Sequence, residues 1–247
     1  MSWGLGNMRT LKGTSYSYLE KRKAKGKKRG YIAIGVGFTL LALGFSLTNL
    51  WLIIFGFLAF AFGGRYVYYY YTAEAGIKGE KAVTEALQKL DDSYFLINDL
   101  LLPRRGGNID HILLGPKGIF CIETKNWTGD IRCYKDEWSK KGRRRIYPVE
   151  SVSKQAWKNA NDLSDLIRRR LNIGVPVTPI CVFTDASAKL KLTRPTLAVV
   201  RLAELTQYVR DAKPLTNLTE DGILSIAQSI LPKRFAESVI HKEEGVF

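Results

Sequence analysis

A single apolar stretch, residues 31–64, limits what this chain can fold into more than any other feature. It holds no charged residue, and the polar pair Thr48-Asn49 divides it near the middle. A helix needs roughly 20 apolar residues to cross a bilayer, with about 17 as the lower limit. The stretch is too long for one comfortable crossing but fits two short ones. A tyrosine-rich run at residues 66–71 follows, which is typical of a membrane interface, so we predict a transmembrane helical hairpin over residues 31–71.

Other structures for this stretch fit the sequence less well. Two helices buried in the core of a soluble protein are one alternative, although soluble helices normally keep a polar face, which this stretch lacks. A single crossing is another, and it would place the rest of the chain on the outer side. A cleaved signal peptide fits poorly, because the apolar region is too long and has no convincing cleavage site of small residues.

The positive charges that flank the stretch predict its orientation. Residues 1–30 contain nine Lys or Arg and one acid, so they account for +8 of the formal net charge of +15 and leave +7 for the rest. Arg65 and Lys78 follow the second apolar run, whereas the Thr48-Asn49 turn carries no charge. Cytoplasmic flanks are enriched in Lys and Arg. We therefore expect a multi-pass membrane protein with two spans and its soluble domain in the cytoplasm.

These features divide the chain into a basic cytoplasmic head at residues 1–30, the hairpin at 31–71 and a soluble domain at 72–247. Hydrophobic periodicity and turn signals in the soluble domain predict helices over residues 75–90, 152–171, 202–211 and 220–230. They predict strands over residues 94–97, 108–114, 118–125, 131–134, 145–147, 177–183 and 197–202. This order is typical of an α/β fold in which helices flank a mixed sheet.

Cysteine usage argues against a disulfide framework or a zinc site. Cys121, Cys133 and Cys181 are odd in number and have no metal-ligand spacing. We expect buried free thiols in a reducing compartment.

The chemistry is predicted from residues 108–125, two strands around the turn Gly115-Pro-Lys-Gly118. If the hairpin closes symmetrically on these four residues, Asp110 faces Glu123. Directly opposed side chains project from the same face with Cβ atoms about 5 Å apart, so the two carboxylates repel each other unless a cation lies between them. Oxygen ligands favour Mg²⁺ or Mn²⁺. A one-residue bulge in the turn would separate the acids and leave only surface charges at a strand end.

Three further residues are candidates for the same site. Lys125 lies on the face of Glu123, because side chains alternate along a strand, and its ammonium can position an attacking water or neutralise the scissile phosphate. Glu80 lies along the apolar stripe of helix 75–90, where it either joins the site or reaches water at the stripe's edge. Gln155, at the start of helix 152–171, either contacts a phosphate or a water or is a solvated helix position.

Three segments carry a resemblance to the nuclease-related domain (NERD), a family similar to the PD-(D/E)xK restriction-endonuclease-like superfamily. They are Gly79-Glu80, Asn108-Ile-Asp-His-Ile-Leu-Leu114 and Gly118-Ile-Phe-Cys-Ile-Glu-Thr-Lys125. The resemblance covers about residues 76–170. It implies a restriction-endonuclease-like mixed sheet flanked by helices, and Mg²⁺-dependent hydrolysis of phosphodiesters.

The resemblance also implies roles for individual residues. Asp110 and Glu123 would be metal ligands, Lys125 the catalytic lysine and Glu80 an accessory acid. Gln155 stands where the superfamily often has a helical glutamine. The proline that usually precedes the metal-binding Asp is absent, since Ile109 stands there, a departure that is frequent in the superfamily.

Basic residues and one tryptophan surround these segments and suit a phosphate backbone. They are Arg104, Arg105, Lys117, Trp127, Lys140, Lys141, Arg143, Arg144 and Arg145. A solvated basic loop is the alternative. The sequence therefore predicts a membrane-anchored, metal-dependent nuclease acting on nucleic acid, with DNA as the expected partner. Two other functions stay open: an inactive nucleic-acid-binding module on the same anchor, and a membrane-associated scaffold whose basic head engages anionic lipid.

Overall fold

The chain folds into two compact units. A computed structural model describes residues 8–12, 17–102, 108–216 and 218–231. One unit is Tyr16–Lys78, and the other combines Met1–Ser15 with Gly79–Phe247.

The first unit is a pair of long helices, α1 (Ser17–Ser46) and α2 (Leu50–Leu87), of which α2 continues into the second unit. They are joined where the sequence predicts a turn. Thr48 adopts a positive φ of 49°, and the Asn49 side chain accepts a hydrogen bond of 3.2 Å from the backbone N–H of Leu52. An Asn in this position caps a helix start, which explains why α2 begins here.

Glycines at seven-residue intervals line the contact between α1 and α2. They are Gly30, Gly37 and Gly44 on α1, and Gly56 and Gly63 on α2. A Cβ added to Gly37 would lie 3.0 Å from the Gly56 carbonyl oxygen, and one on Gly63 would lie 3.1 Å from the Gly30 carbonyl oxygen. Only glycine therefore allows the two backbones to come this close, an arrangement known from membrane-spanning helix pairs.

The outer surface of this hairpin is apolar. Large side chains such as Phe38, Trp51 and Phe57 are each at least 60% exposed. Both helices are long and apolar enough to cross a membrane. Exposed apolar area on this scale marks an interaction surface for lipid or protein.

The described residues of the second unit form ten strands and three α-helices besides the end of α2. The strands are β1 (Arg9–Lys12), β2 (Phe95–Leu101), β3 (Asn108–Gly115), β4 (Gly118–Lys125), β5 (Asp130–Tyr134), β6 (Glu137–Lys141), β7 (Ile146–Val149), β8 (Val177–Phe183), β9 (Lys189–Thr193) and β10 (Ala198–Arg201). The helices are α3 (Val152–Leu171), α4 (Leu205–Asp211), which follows a 3₁₀ turn at Leu202–Glu204, and α5 (Glu220–Ile230).

The strands form two sheets. The larger has the order β1-β2-β3-β4-β8-β10, and the smaller has the order β7-β6-β5-β9. In the larger sheet β2, β3 and β4 are antiparallel, whereas β1 pairs with β2, and β8 with β4 and β10, in parallel. In the smaller sheet β5, β6 and β7 are antiparallel, whereas β9 pairs with β5 in parallel. Both sheets are therefore mixed, and the predicted α/β fold class is confirmed.

Helices cover both faces of the six-stranded sheet. On one face, Ile112 and Ile119 join a buried cluster with Leu163 of α3 and Ile223 of α5. On the other face, alternate residues of the same strands pack with Val83 and Leu87 of α2 and with α4. The central strands are apolar at nearly every position because they are buried on both faces.

The sequence does not predict three of these strands, β1, β6 and β9. β1 lies within the segment assigned to the basic head. The helix expected over residues 75–90 is the uninterrupted end of α2, which stops at Leu87. The helices over residues 152–171 and 220–230 have the predicted bounds.

Candidate active site

The β3–β4 hairpin has the register that the sequence predicts. Leu114 pairs with Ile119, Ile112 with Cys121, and Gly115 with Gly118 across a two-residue turn. The ladder runs without a bulge from Gly115 and Gly118 to His111 and Ile122, and Asp110 and Glu123 are the residues directly beyond its last pair. The Asp110 carboxylate also accepts a hydrogen bond of 2.9 Å from the backbone N–H of Thr124. The two acids are therefore neighbours at the end of the hairpin farthest from its turn.

Burial and mutual repulsion dominate the electrostatics of these acids. Burial, followed by the charges of Glu123 and Glu80, raises the pKa of Asp110 well above its usual value. Glu123 is only 3% exposed, and burial raises the pKa of its carboxyl although Lys125 opposes this. Burial, then Asp99 and Glu123, raises the pKa of Glu80 to about 7. The cluster therefore lacks enough positive charge to keep all its carboxyl groups ionised.

Lys125 is the cation closest to this cluster among the described residues. Its Nζ lies 2.6 Å from Glu123 Oε1 and 3.0 Å from Gln155 Oε1. Burial lowers the pKa of Lys125, but the charge and hydrogen bond of Glu123 outweigh burial, so the pKa lies above its usual value. The ammonium is therefore protonated at neutral pH, and two acceptors hold it in place.

Helix α3 supplies the second acceptor. Ser151 caps its start by accepting a hydrogen bond from the backbone N–H of Lys154, which fixes Gln155 in the first turn. One turn later, Asn159 is buried, and its Nδ2 lies 3.5 Å from Glu123 Oε2. Both amides thus face the end of β4.

The structure brings all five predicted site residues into one electrostatic cluster: Glu80, Asp110, Glu123, Lys125 and Gln155. Sequence reasoning missed two neighbours. Asn159 carried a signal, because it lies four residues after Gln155 on a face that is otherwise apolar. Asp99, whose charge raises the pKa of Glu80, interrupts an apolar strand and adopts a positive φ of 53°. Nothing in the local sequence indicates that it lies near Glu80.

The other residues singled out from the sequence do not belong to this cluster. His111 is fully buried, its Nδ1 lies 2.7 Å from Asn98 Oδ1, and burial lowers its pKa to about 3. The three cysteines are buried and free, as expected. Lys117 lies in the β3–β4 turn, at the opposite end of the strands from Asp110. Arg104 and Arg105 lie outside the described residues.

The donor set suits a hard divalent cation. Within the residues described, no three His, Cys, Asp or Glu side chains gather in a group that could hold a metal. Asp110 and Glu123 nevertheless offer carboxylate oxygens in a site whose pKa shifts show a deficit of positive charge. Mg²⁺ commonly binds through one or two carboxylates and keeps several waters. The pair therefore fits Mg²⁺ or Mn²⁺ chemically, with water completing the coordination.

Comparison with known proteins agrees with this geometry. Residues 75–184 match the sequence profile of the nuclease-related domain, NERD. Over this segment the chain is similar to nuclease-related domains. The segment includes the hairpin with Asp110, Glu123 and Lys125, together with Glu80 and Gln155.

A curated relative of the NERD segment is an uncharacterized protein of Bacillus anthracis. The two are 32% identical over 104 residues, which are 39% of this chain and 48% of the relative. The chain thus spans about half the length of the curated relative it matches. No solved structure matches the chain significantly.

Proposed function

We propose that the chain is a membrane-anchored nuclease that hydrolyses phosphodiester bonds of nucleic acid with the help of Mg²⁺ or Mn²⁺. The observation that carries the proposal is the buried contact of Lys125 with Glu123 and Gln155, beside Asp110, within a NERD segment. Such buried ionisable clusters are expensive to fold and are common at functional sites. DNA is the substrate we expect.

Each residue of the cluster has a role in the proposed reaction. Asp110 and Glu123 would hold the metal, which would supply Lewis acidity and neutralise phosphate charge. The Lys125 ammonium, held by Gln155, stabilises the negative charge that develops on the phosphate oxygens. Glu80, with a pKa of about 7, can accept the proton that the attacking water loses at neutral pH. Hydrolysis then adds the water oxygen to phosphorus and breaks the bond to the leaving oxygen, which takes a proton from solvent.

The full-length chain in detergent is the right material for testing this activity. β1 (Arg9–Lys12) pairs with β2, so a fragment that starts near residue 72 would lack an edge strand of the sheet. We expect cutting of labelled DNA or RNA with Mg²⁺ or Mn²⁺, none with EDTA, and none by Asp110→Asn. Wild-type protein that binds nucleic acid but cuts none of these substrates with either metal would refute the enzyme and leave a binding module.

The anchor is the second part of the proposal. We infer that residues 31–71 cross the membrane twice, with residues 1–30 and 72–247 on the cytoplasmic side. Besides the charge pattern, β1 precedes the first apolar helix and β2 follows the second, yet both belong to one sheet. A sheet cannot lie on two sides of a bilayer, so this pairing favours an even number of crossings. At the ends of the apolar helices, Arg29 lies over the Tyr66 ring and Arg65 over the Tyr69 ring, as expected for an interface.

Reporter fusions test this topology. A reporter placed after Asn49 should lie outside, and one placed after Phe247 should lie in the cytoplasm. If both report the same side, the two-span hairpin is wrong, whatever the outcome of the nuclease assay.

A further inference from the structure

The four-stranded sheet brings a second lysine toward the active site. Lys140 of β6 is directly opposite the fully buried Ile131 of β5, so it projects from the packed face of this sheet. Its Nζ lies 5.2 Å from the centre of the Trp127 ring, and the Nζ of Lys125 lies 5.8 Å from the same centre. Trp127 in turn packs edge-on against Phe183 at the end of β8. One indole therefore connects Lys140 to the catalytic lysine.

Within the part of the chain that the structure describes, no acid balances the charge of Lys140. Among the described residues, the structure shows no carboxylate within ion-pair distance of Lys140, whereas Lys125 pairs with Glu123 and Lys158 with Asp162. Burial lowers the pKa of Lys140 below its usual value. A half-buried ammonium held only by a ring is less stable than one that also meets an anion. An incoming anion would therefore gain the interaction that the protein itself does not supply.

A nucleic-acid strand needs such a cation at this place. The active site is rich in carboxylates, which repel phosphates, and the charge of Lys125 is already shared with Glu123. Because both ammonium groups lie over one ring, their nitrogens are within about 11 Å of each other. At about 3.4 Å of rise per nucleotide, this distance spans at most about three nucleotides of one strand.

We propose that Lys140, oriented by Trp127, binds a backbone phosphate of the nucleic acid close to the phosphate that is cut. The inference rests on the proposed function, because that function places Lys140 close to the phosphate that is cut. Lys140 is then a positioning residue. It assigns the four-stranded sheet a specific contact with substrate in addition to its general positive charge.

The neighbouring lysine provides a matched control. Lys141 carries the same charge on the same strand, but it is exposed and lies opposite Asp130 on the other face of the sheet. A diffuse electrostatic attraction would weaken equally when either lysine is neutralised. A contact specific to the active-site side would weaken only with Lys140.

The experiment compares Lys140→Gln with Lys141→Gln in the full-length chain, both in an Asp110→Asn background that we expect not to cut. Affinity for a labelled oligonucleotide is measured by fluorescence anisotropy at several salt concentrations. We expect Lys140→Gln to weaken binding about tenfold and to reduce the salt slope by about 0.7–0.9, the effect of one lost phosphate contact. Lys141→Gln should change affinity less than threefold, and Lys140→Arg should restore most of the binding.

Equal affinities and salt slopes for Lys140→Gln and Lys141→Gln would overturn the inference, even if the wild-type chain cuts nucleic acid as proposed. Loss of binding confined to Lys140→Gln would support it, even in a chain that never cuts. Failure of Lys140→Arg to restore binding would also overturn the inference, because it would indicate that Lys140 only packs on Trp127.

Discussion

The two sheets of the second unit differ in where they place their charges. In the six-stranded sheet, β4 is buried over its first six residues, and charge gathers at one end, where Glu123 is 3% exposed. In the four-stranded sheet, charges alternate along the strands, and Lys141, Lys189 and Lys191 are exposed. Fixed, desolvated charges are suited to catalysis, because they need no reorganisation during the reaction. Exposed charges are suited to contacts with the phosphate backbone, which do not depend on nucleic-acid sequence.

This difference suggests a division of labour. In our proposal, the six-stranded sheet holds the reacting groups, and the four-stranded sheet contacts the substrate strand through Lys140. Changes at the end of β4 should therefore alter turnover, whereas loss of the Lys140 charge from the smaller sheet should alter affinity.

The largest expected effect comes from Lys125→Ala. In the proposed reaction its ammonium acts in the transition state, so kcat should fall on the order of 10²–10³-fold, while affinity for nucleic acid changes only modestly. Single-turnover cutting and equilibrium binding measure the two effects. Lys191→Ala, which removes the same charge from β9 of the smaller sheet, should leave kcat near wild type. A Lys125→Ala variant that cuts at the wild-type rate would remove the role assigned to this lysine.

A smaller effect is expected from Gln155→Ala. This change removes the 3.0 Å acceptor that holds the Lys125 ammonium but leaves its ion pair with Glu123. Since a hydrogen bond to a charged group contributes about 1.5–3 kcal/mol, we expect kcat to fall at least about tenfold. Gln207→Ala, an exposed glutamine on α4, is the matched control. Equal rates in the two variants would show that Gln155 does not position Lys125.

The smallest expected effect is a change in pH dependence. The pKa of Glu80 is about 7 rather than 4.5, so the metal-free folded chain holds a proton there that the unfolded chain releases. The contribution of Glu80 to the free energy of unfolding of the metal-free chain therefore falls as pH rises from about 4.5 to about 7. Metal binding needs ionised carboxylates, so affinity for Mn²⁺ should rise over the same window, up to about tenfold per pH unit for each proton released.

Calorimetric titrations of Mn²⁺ at several pH values check this dependence. Glu80→Gln should make the rise shallower without abolishing it, because the pKa of Asp110 is raised as well. If Mn²⁺ affinity rose with pH as steeply in Glu80→Gln as in wild type, Glu80 would not be coupled to metal binding.

Local sequence patterns predicted the six-stranded sheet much better than the four-stranded one. The β3–β4 register follows from a turn of four residues and two runs of apolar side chains, both visible in the sequence. Strand β9 is different, because its exposed lysines alternate with only half-buried leucines and it pairs with β5, more than 50 residues earlier. β1 likewise pairs with a strand more than 80 residues later. Such long-range edge pairings leave little local signal.

The same limit applies to the active site. Asp110, Glu123 and Lys125 lie within one hairpin, so their spacing predicts their proximity. The contact of Gln155 with Lys125 depends on how α3 packs against β4, and the orientation of Lys140 toward Trp127 depends on which face of the smaller sheet is buried. Their helix positions and the resemblance to NERD placed Glu80 and Gln155 as candidates, but tertiary packing provides their partners.

The binding of Mn²⁺ by the full-length chain tests most directly the claim that the six-stranded sheet holds the chemistry. Asp110→Asn in this sheet is compared with Asp130→Asn in the smaller one, by titration and by the melting temperature with and without metal. We predict that wild type and Asp130→Asn bind Mn²⁺ and melt at higher temperature with it. Asp110→Asn should lose both effects, yet melt no lower than wild type without metal, because the change relieves carboxylate repulsion. Equal Mn²⁺ binding by both variants, or no binding by wild type at millimolar metal, would contradict the proposed metal site.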